Sequence, residues 1–350
     1  VVVKADQFAR SSVIQRIFRV QEFGVFLILV ALCLLLALFR GSAFLSVENL
    51  SYVARAFSFI AIMSFGECMV IITAGIDLSI GSVFGLSAVC SALVMKFMMA
   101  KMILSPDSIL FAVICFLAGM LAGSLLGWIN ALFIAKAKLP PFIATLGMMS
   151  IARGLAEAVT VGWPIQVSSS AFRYLGQGFI GSIMTSKGPI ELIPLPVIVM
   201  VLLAIATTFF LRKTIVGRYV FAIGSNEEAA RLSGINVDRV KFLVYSLSGI
   251  FAGIGGMLLV ARLGVAQSSA GFGYELDGIA AVVIGGASLM GGEGSILGVV
   301  IGAAIMGVIR NGLVLLNVSA YWQKAAIGVV LIAAIVLDQL RKGQIGKGRK

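Results

Sequence analysis

Histidine is absent from all 350 residues, which excludes a histidine general base, a Ser-His-Asp triad and a histidine-ligated metal site. Charge is scarce as well. Only 12% of the side chains are charged, about half the fraction of a soluble domain. With 60% apolar residues and a mean hydropathy of +1.09, the chain is built for a bilayer. Seven prolines against forty glycines scattered through apolar runs suit close helix packing in lipid better than disorder. Cys33, Cys68, Cys90 and Cys115 lie inside apolar runs without the paired spacing of a zinc site, so no metal is expected.

Nearly uncharged stretches at about 23–39, 56–74, 78–95, 109–135, 142–161, 194–211, 242–261, 279–291, 295–309 and 321–337 predict an all-α polytopic membrane protein of about ten transmembrane helices. The stretches 279–291 and 295–309 fall short of the roughly 20 residues a crossing needs, which leaves them open as full spans or re-entrant segments. With a cytoplasmic N-terminus, 17 of the 27 Lys and Arg fall in inside segments, 8 in outside loops and 2 within spans. That bias puts both termini inside and explains the net charge of +12 without a nucleic-acid partner. The chain then divides into a cytoplasmic segment at 1–22, a transmembrane domain at 23–337 with a long inside loop at 212–241, and a basic cytoplasmic tail at 338–350. The first apolar run, 17 residues long, exceeds a signal peptide's usual apolar region and reads as an uncleaved span. The chain begins at Val1, so the true start residue stays open.

Asn130 and Asn311 are 181 residues apart, as are Gly147 and Gly328, and Asn-Ala-Leu-Phe-Ile at 130 corresponds to Asn-Gly-Leu-Val-Leu at 311. The polar break at Asp77 is echoed at Asp277, with an offset of 200. Chance among many small apolar residues is the competing explanation. A real repeat relates spans 2–5 to spans 7–10, and an odd shift of five spans makes it inverted.

Four charges lie within the spans: Glu67, Arg153, Glu157 and Lys324. Arg153 and Glu157 have the spacing to pair on one helix face, and Lys324 lies near a span end, where it can snorkel. Glu67 has no local partner and reads equally as a polar contact lining a path or as an interhelical hydrogen bond. Four isolated charges lack the acid cluster of an ion-driven carrier, the alternative transport reading. No G-x-x-x-x-G-K-[ST] accompanies the glycine-rich GGEGS at 291–295, so the chain does not hydrolyse ATP alone. A membrane enzyme would need a convergent polar site, and no acid-rich motif provides one.

In the loop at 212–241, Asn226 is a good N-cap, Glu227 and Glu228 favour a helix N-terminus, and Gly234 is a natural stop. They predict a short polar helix of about two turns. Such a helix either lies on the lipid surface or offers Glu227, Glu228 and Arg231 to another protein.

Five segments together carry a family resemblance: GIDLSIGS at 75–82, PPFIATLGMMSIARGLA at 140–156, GRYVFAIGSNEEAARLSGINV at 217–237, GYELDGIAAVVIGGASLMGGEGS at 273–295 and NGLVLLNVSAYWQ at 311–323. In this order the chain resembles the ribose-type permeases of bacterial ATP-binding-cassette importers over roughly residues 20–340. The resemblance implies a multi-pass permease in the bacterial inner membrane, embedded in lipid and working as two copies or with a paralogue. A cytoplasmic ATPase would bind ATP and Mg, no cofactor sitting on this chain, and a periplasmic binding protein would deliver a monosaccharide or small polyol. It also implies that Asn226, Glu227, Glu228, Arg231 and Gly234 form the helix that couples to the ATPase. Glu67 departs from the pattern, standing where the family has an uncharged residue.

The candidate path residues are Glu67, Asp77, Ser79, Asn130, Glu275, Asp277, Ser288, Asn311 and Gln323, with Tyr321 and Trp322 as candidate aromatic faces. Each has a bland reading as a turn or helix-packing determinant. Affinity supplied by a soluble binding protein leaves the identity of the sugar poorly written in this chain.

Overall fold

The computed structural model describes residues 21–185 and 188–341. The protein is an all-helical polytopic membrane protein. In chain order the helices are α1 (Gln21–Phe44), α2 (Val47–Ile72), α3 (Ile80–Ala100), α4 (Ile109–Ala131), α5 (Pro141–Thr160), α6 (Ser170–Gln177), α7 (Leu195–Lys213), α8 (Ile215–Ser225), α9 (Glu227–Leu232), α10 (Val237–Leu263), α11 (Tyr274–Ile284), α12 (Ile296–Leu315) and α13 (Ala320–Arg341). A wider turn, Leu132–Lys136, prolongs α4. Among the described residues eight helices are long and apolar enough to cross a membrane. Two small antiparallel pairings join β1 (Ile165–Gln166) to β4 (Val265–Ala266), and β2 (Phe179–Thr185) to β3 (Gly188–Pro194).

The two doubtful spans part company. Residues 295–309 belong to a full-length helix, α12, capped by the Ser295 hydroxyl accepting from the Gly298 N–H. Residues 279–291 are not a full-length membrane helix: α11 covers 11 residues, and irregular chain completes the passage from the Arg262–Tyr52 end of α2 to its Ile72 end before Ile296. Gly286, Gly291 and Gly292 there take left-handed backbone angles that stop a helix. The loop at 212–241 holds two helices where one was expected. The unforeseen one, α8, starts at Thr214, whose hydroxyl accepts from the Gly217 N–H at 3.0 Å. The segments 1–20 and 342–350, most of the predicted cytoplasmic ends, and the Lys324 side chain lie outside the described residues.

α2 and α10 form the centre, where residues 59–72 are wholly buried. They cross where Gly66 meets Ser248, and a Cβ on Gly66 would stand 2.6 Å from the Ser248 Cα. Lipid tails are as apolar as leucine, so backbone approach of this kind replaces the hydrophobic effect as the packing force. The packing partners are symmetric about this crossing. α10 packs on α4 as α2 packs on α12, and α3 packs on α10 as α11 packs on α2. The pairs α3–α4 and α3–α5 are matched by α11–α12 and α11–α13. Exchanging α2–α5 with α10–α13 therefore preserves the packing, the arrangement expected of a repeat relating spans 2–5 to 7–10. Gly147 and Gly328 contribute nothing to it, since a Cβ on either would meet no atom within 4 Å.

Candidate functional site

The first candidate cluster is built on the turn at 73–79 between α2 and α3. The Thr73 hydroxyl closes α2 by donating to the Val70 carbonyl at 2.8 Å, and Ala74 reverses the chain at φ 60°. Asp77 then accepts three hydrogen bonds. The Ser79 N–H and hydroxyl donate to its Oδ1 at 3.0 and 2.6 Å, and the Ser248 hydroxyl of α10 donates to Oδ2 at 3.0 Å. Its own N–H donates to Glu67 Oε1 on α2 at 3.2 Å. Asn130 of α4 donates to the Ser79 Oγ at 2.9 Å, and the Leu78 N–H donates to Thr145 Oγ1 of α5 at 3.2 Å. Glu67, Asp77, Ser79 and Asn130 are all buried. They thus meet in one network that pins five helices to a turn, and none lines a cavity described here. The hydrogen bond of Glu67 is neither of the two expected: it fastens the turn that follows its own helix.

A second cluster lies at the other end of α2. There a cavity of about 460 Å³ opens between α2, α10, α12 and the start of α13. Arg310 of α12 pairs with the buried Asp277 of α11 at 2.7 Å. Arg262 of α10 lies over the Tyr52 ring at 4.8 Å and the Phe59 ring at 5.8 Å. Asn311 and Asn49 exchange hydrogen bonds through their side-chain amides at 2.8 and 3.1 Å. Gln323 closes the rim and donates to the Val318 carbonyl at 3.0 Å. Of the sequence candidates, Asp277, Asn311 and Gln323 meet here, joined by Asn49, Tyr52, Arg262, Tyr274 and Arg310, which the sequence reading missed.

The remaining candidates lie elsewhere. Glu275 packs beside Gly81 of α3 rather than on the cavity. Ser288 sits in the irregular segment after α11, where its hydroxyl accepts from the Met290 N–H at 3.2 Å. Tyr321 and Trp322 point outward, 87% and 71% exposed. Arg153 stays within electrostatic reach of Glu157, but its hydrogen bonds go further. Arg153 donates to the Ser268 and Ala270 carbonyls at 2.7 and 2.9 Å, securing the chain ahead of α11.

The third element is α9, whose six residues make the short polar helix of just under two turns. Asn226 caps it, its Oδ1 accepting from the Ala229 N–H at 2.9 Å, and Gly234 ends the turn at φ 85°. Glu227 bonds Lys241 of α10 at 2.6 Å and Arg231 at 3.4 Å. Partial burial works to raise the Glu227 carboxyl, but Lys241 and Arg231 outweigh it and hold the group below the usual carboxylate range. Glu228, Arg231 and Leu232 stay exposed, Leu232 at 85%. α8 links this element to the membrane. A Cβ on its Gly224 would overlap the Ile72 carbonyl, which also accepts from the Gly292 N–H at 2.9 Å. The end of α8, the end of α2 and the segment after α11 thus meet backbone to backbone, immediately before the turn that carries Asp77.

Residues 49–335 match a family model described as the permease component of a branched-chain amino acid transport system. The chain is 42% identical over 322 residues to a ribose import permease protein of Bacillus subtilis, covering 91% of this chain and 93% of that one. It is 38% identical over 320 residues to the ribose import permease protein of Escherichia coli K12, covering 90% and 93%. With the galactose/methyl galactoside import permease protein of the same strain it shares 38% over 333 residues, covering 92% and 95%. No solved structure matches the chain. The chain belongs to the permease family of ATP-binding-cassette importers, and within it to the group that contains these sugar permeases.

Proposed function

We propose that this chain is the membrane-spanning subunit of a bacterial ATP-driven importer that carries a monosaccharide or related small polyol across the cytoplasmic membrane. The observation that carries the reading is its likeness, over at least 90% of its length, to permeases named for ribose and galactose. The cavity at the outer ends of α2 and α12 supports it chemically. Side-chain amides, guanidinium groups and the Tyr52 and Tyr274 rings offer hydrogen bonds and flat apolar faces to a hydroxylated ligand.

The mechanism is alternating access, with two permease copies, or one and a paralogue, around a shared path and both termini in the cytoplasm. A separate cytoplasmic ATPase binds ATP and Mg, and a periplasmic binding protein supplies sugar and most of the selectivity. α9 presents Glu228, Arg231 and Leu232 to the ATPase, while the Glu227–Lys241 pair fixes it to α10. ATPase movement then passes through Gly224 to the end of α2 and to the Asp77 network, where five helices change together.

The family description names branched-chain amino acids, so the experiment must separate the two substrate classes. In cells stripped of their own pentose, hexose and leucine importers, expression of the complete system is expected to restore uptake of a labelled sugar from a panel of monosaccharides and polyols. Restored leucine uptake without any sugar uptake would overturn the assignment.

A further inference from the structure

A long groove between α7 and α12 lies apart from all three elements above. Met200, Ala204, Ile205 and Phe209 of α7 face Leu297 and Val300 of α12 across about 490 Å³. Its walls are apolar until one end, where Arg212 and Lys213 close it beside the first turn of α12. The only carboxylate within 4.0 Å of this pair among the described residues is Glu22, 3.9 Å from Arg212. Both basic side chains are exposed, and the positive end of the 20-residue helix α12 adds to their field.

We infer that this groove holds an anionic phospholipid, with an acyl chain along α7 and α12 and its phosphate on Arg212 and Lys213. An apolar slot selects no lipid by itself, because neighbouring lipid tails are equally apolar. It fixes a chain by shape, and the headgroup is chosen by charge. A second copy of the protein is the competing occupant. An isologous contact through α7 would bring Arg212 and Lys213 of both copies together across the two-fold axis, four cations against two Glu22 carboxylates. A phosphate neutralises them instead. The inference rests on the groove alone and is independent of the transported substrate.

The test is native mass spectrometry of the full chain with phosphatidylglycerol and phosphatidylcholine in competition. Phosphatidylglycerol is expected to be retained roughly 30-fold more strongly, about fivefold for each basic residue at the membrane surface. The Arg212→Gln/Lys213→Gln double variant changes exposed positions at a helix end and should lose that preference. Ala204→Trp fills the slot and should lose retention with both cations in place, while excess inorganic phosphate should leave the wild-type adduct intact. Equal retention of the two lipids, an unchanged preference in the double variant, or displacement by inorganic phosphate would each overturn the inference. So would a disulfide between copies formed by Ile205→Cys in native membranes, which would place a second chain on the groove.

Discussion

Gly224, at the end of α8, lies directly on the main-chain carbonyl of Ile72, the last residue of α2, with no room for a Cβ between them. This contact joins α8, which leads directly into α9, to the turn that holds Asp77. Gly224→Ala must push the backbones apart. Because α9 is untouched, the variant is expected to insert and bind its ATPase normally while sugar uptake falls at least tenfold. Co-purification of the ATPase and initial uptake rates check this. Normal uptake by Gly224→Ala would remove the junction from the coupling route.

A different outcome is expected at α9. Gly234→Val strains a left-handed position by roughly 1 kcal/mol or more, and Glu227→Lys with Glu228→Lys opposes the helix dipole and breaks the bond to Lys241. The combined variant should insert but lose ATPase association. The Glu227 carboxyl is held below its ordinary range, so the fastening is complete at neutral pH and is lost only as pH falls through that lowered value. ATPase binding that stays level through mild acidification is the corresponding expectation, read by pull-down at each pH.

Glu67 accepts the Asp77 N–H through Oε1, and its Oε2 has no hydrogen-bond partner among the described residues. Glu67→Gln keeps that acceptor and should leave thermal stability in detergent close to wild type. Glu67→Leu leaves a buried N–H unpaired, at about 1–3 kcal/mol. Equal melting of the two variants would show that the hydrogen bond contributes nothing.

At the cavity, Arg310→Met strands the buried Asp277. A fully buried pair broken in this way costs about 3–5 kcal/mol, and the exposure of Arg310 lowers the expectation to roughly 2 kcal/mol. Adding Asp277→Asn should recover much of the loss. Thermal unfolding of the two singles and the double measures the coupling directly.

The sequence was legible where the signal was local. Apolar run length marked the membrane helices, and Asn226 and Gly234 marked both ends of α9. Glu67, Asp77, Ser79 and Asn130 were singled out, but not as one network, because two members that complete it are remote in sequence: Ser248 lies 171 residues from Asp77 and Thr145 lies 67 from Leu78. A serine in an apolar run carries no mark of what it will touch. Arg310 fell just beyond the predicted span 295–309 and was counted as a loop charge, although α12 carries it to Asp277. α8 was hidden because its apolar face resembles the end of the preceding span. For Arg153 the local spacing to Glu157 is visible in the sequence, whereas the carbonyls that take its hydrogen bonds, at Ser268 and Ala270, are distant.

The predicted orientation can be read with single cysteines, at positions the structure shows to be exposed. Ser168→Cys, between β1 and α6, should react with an impermeant reagent in intact spheroplasts, and Ser233→Cys, after α9, only once the membrane is opened. Ser169 would be unsuitable, being a buried helix cap. The reverse labelling pattern would invert the topology and move α9 away from any cytoplasmic ATPase.

The central claim is that this chain transports only when driven by a separate ATPase. Proteoliposomes containing the permease, its ATPase and the sugar-loaded binding protein measure it most directly. The account predicts sugar movement that requires ATP on the ATPase side and stops when either partner is omitted, with no response to a proton or sodium gradient. Sugar accumulation by the permease alone under an ion gradient, without ATP, would contradict it.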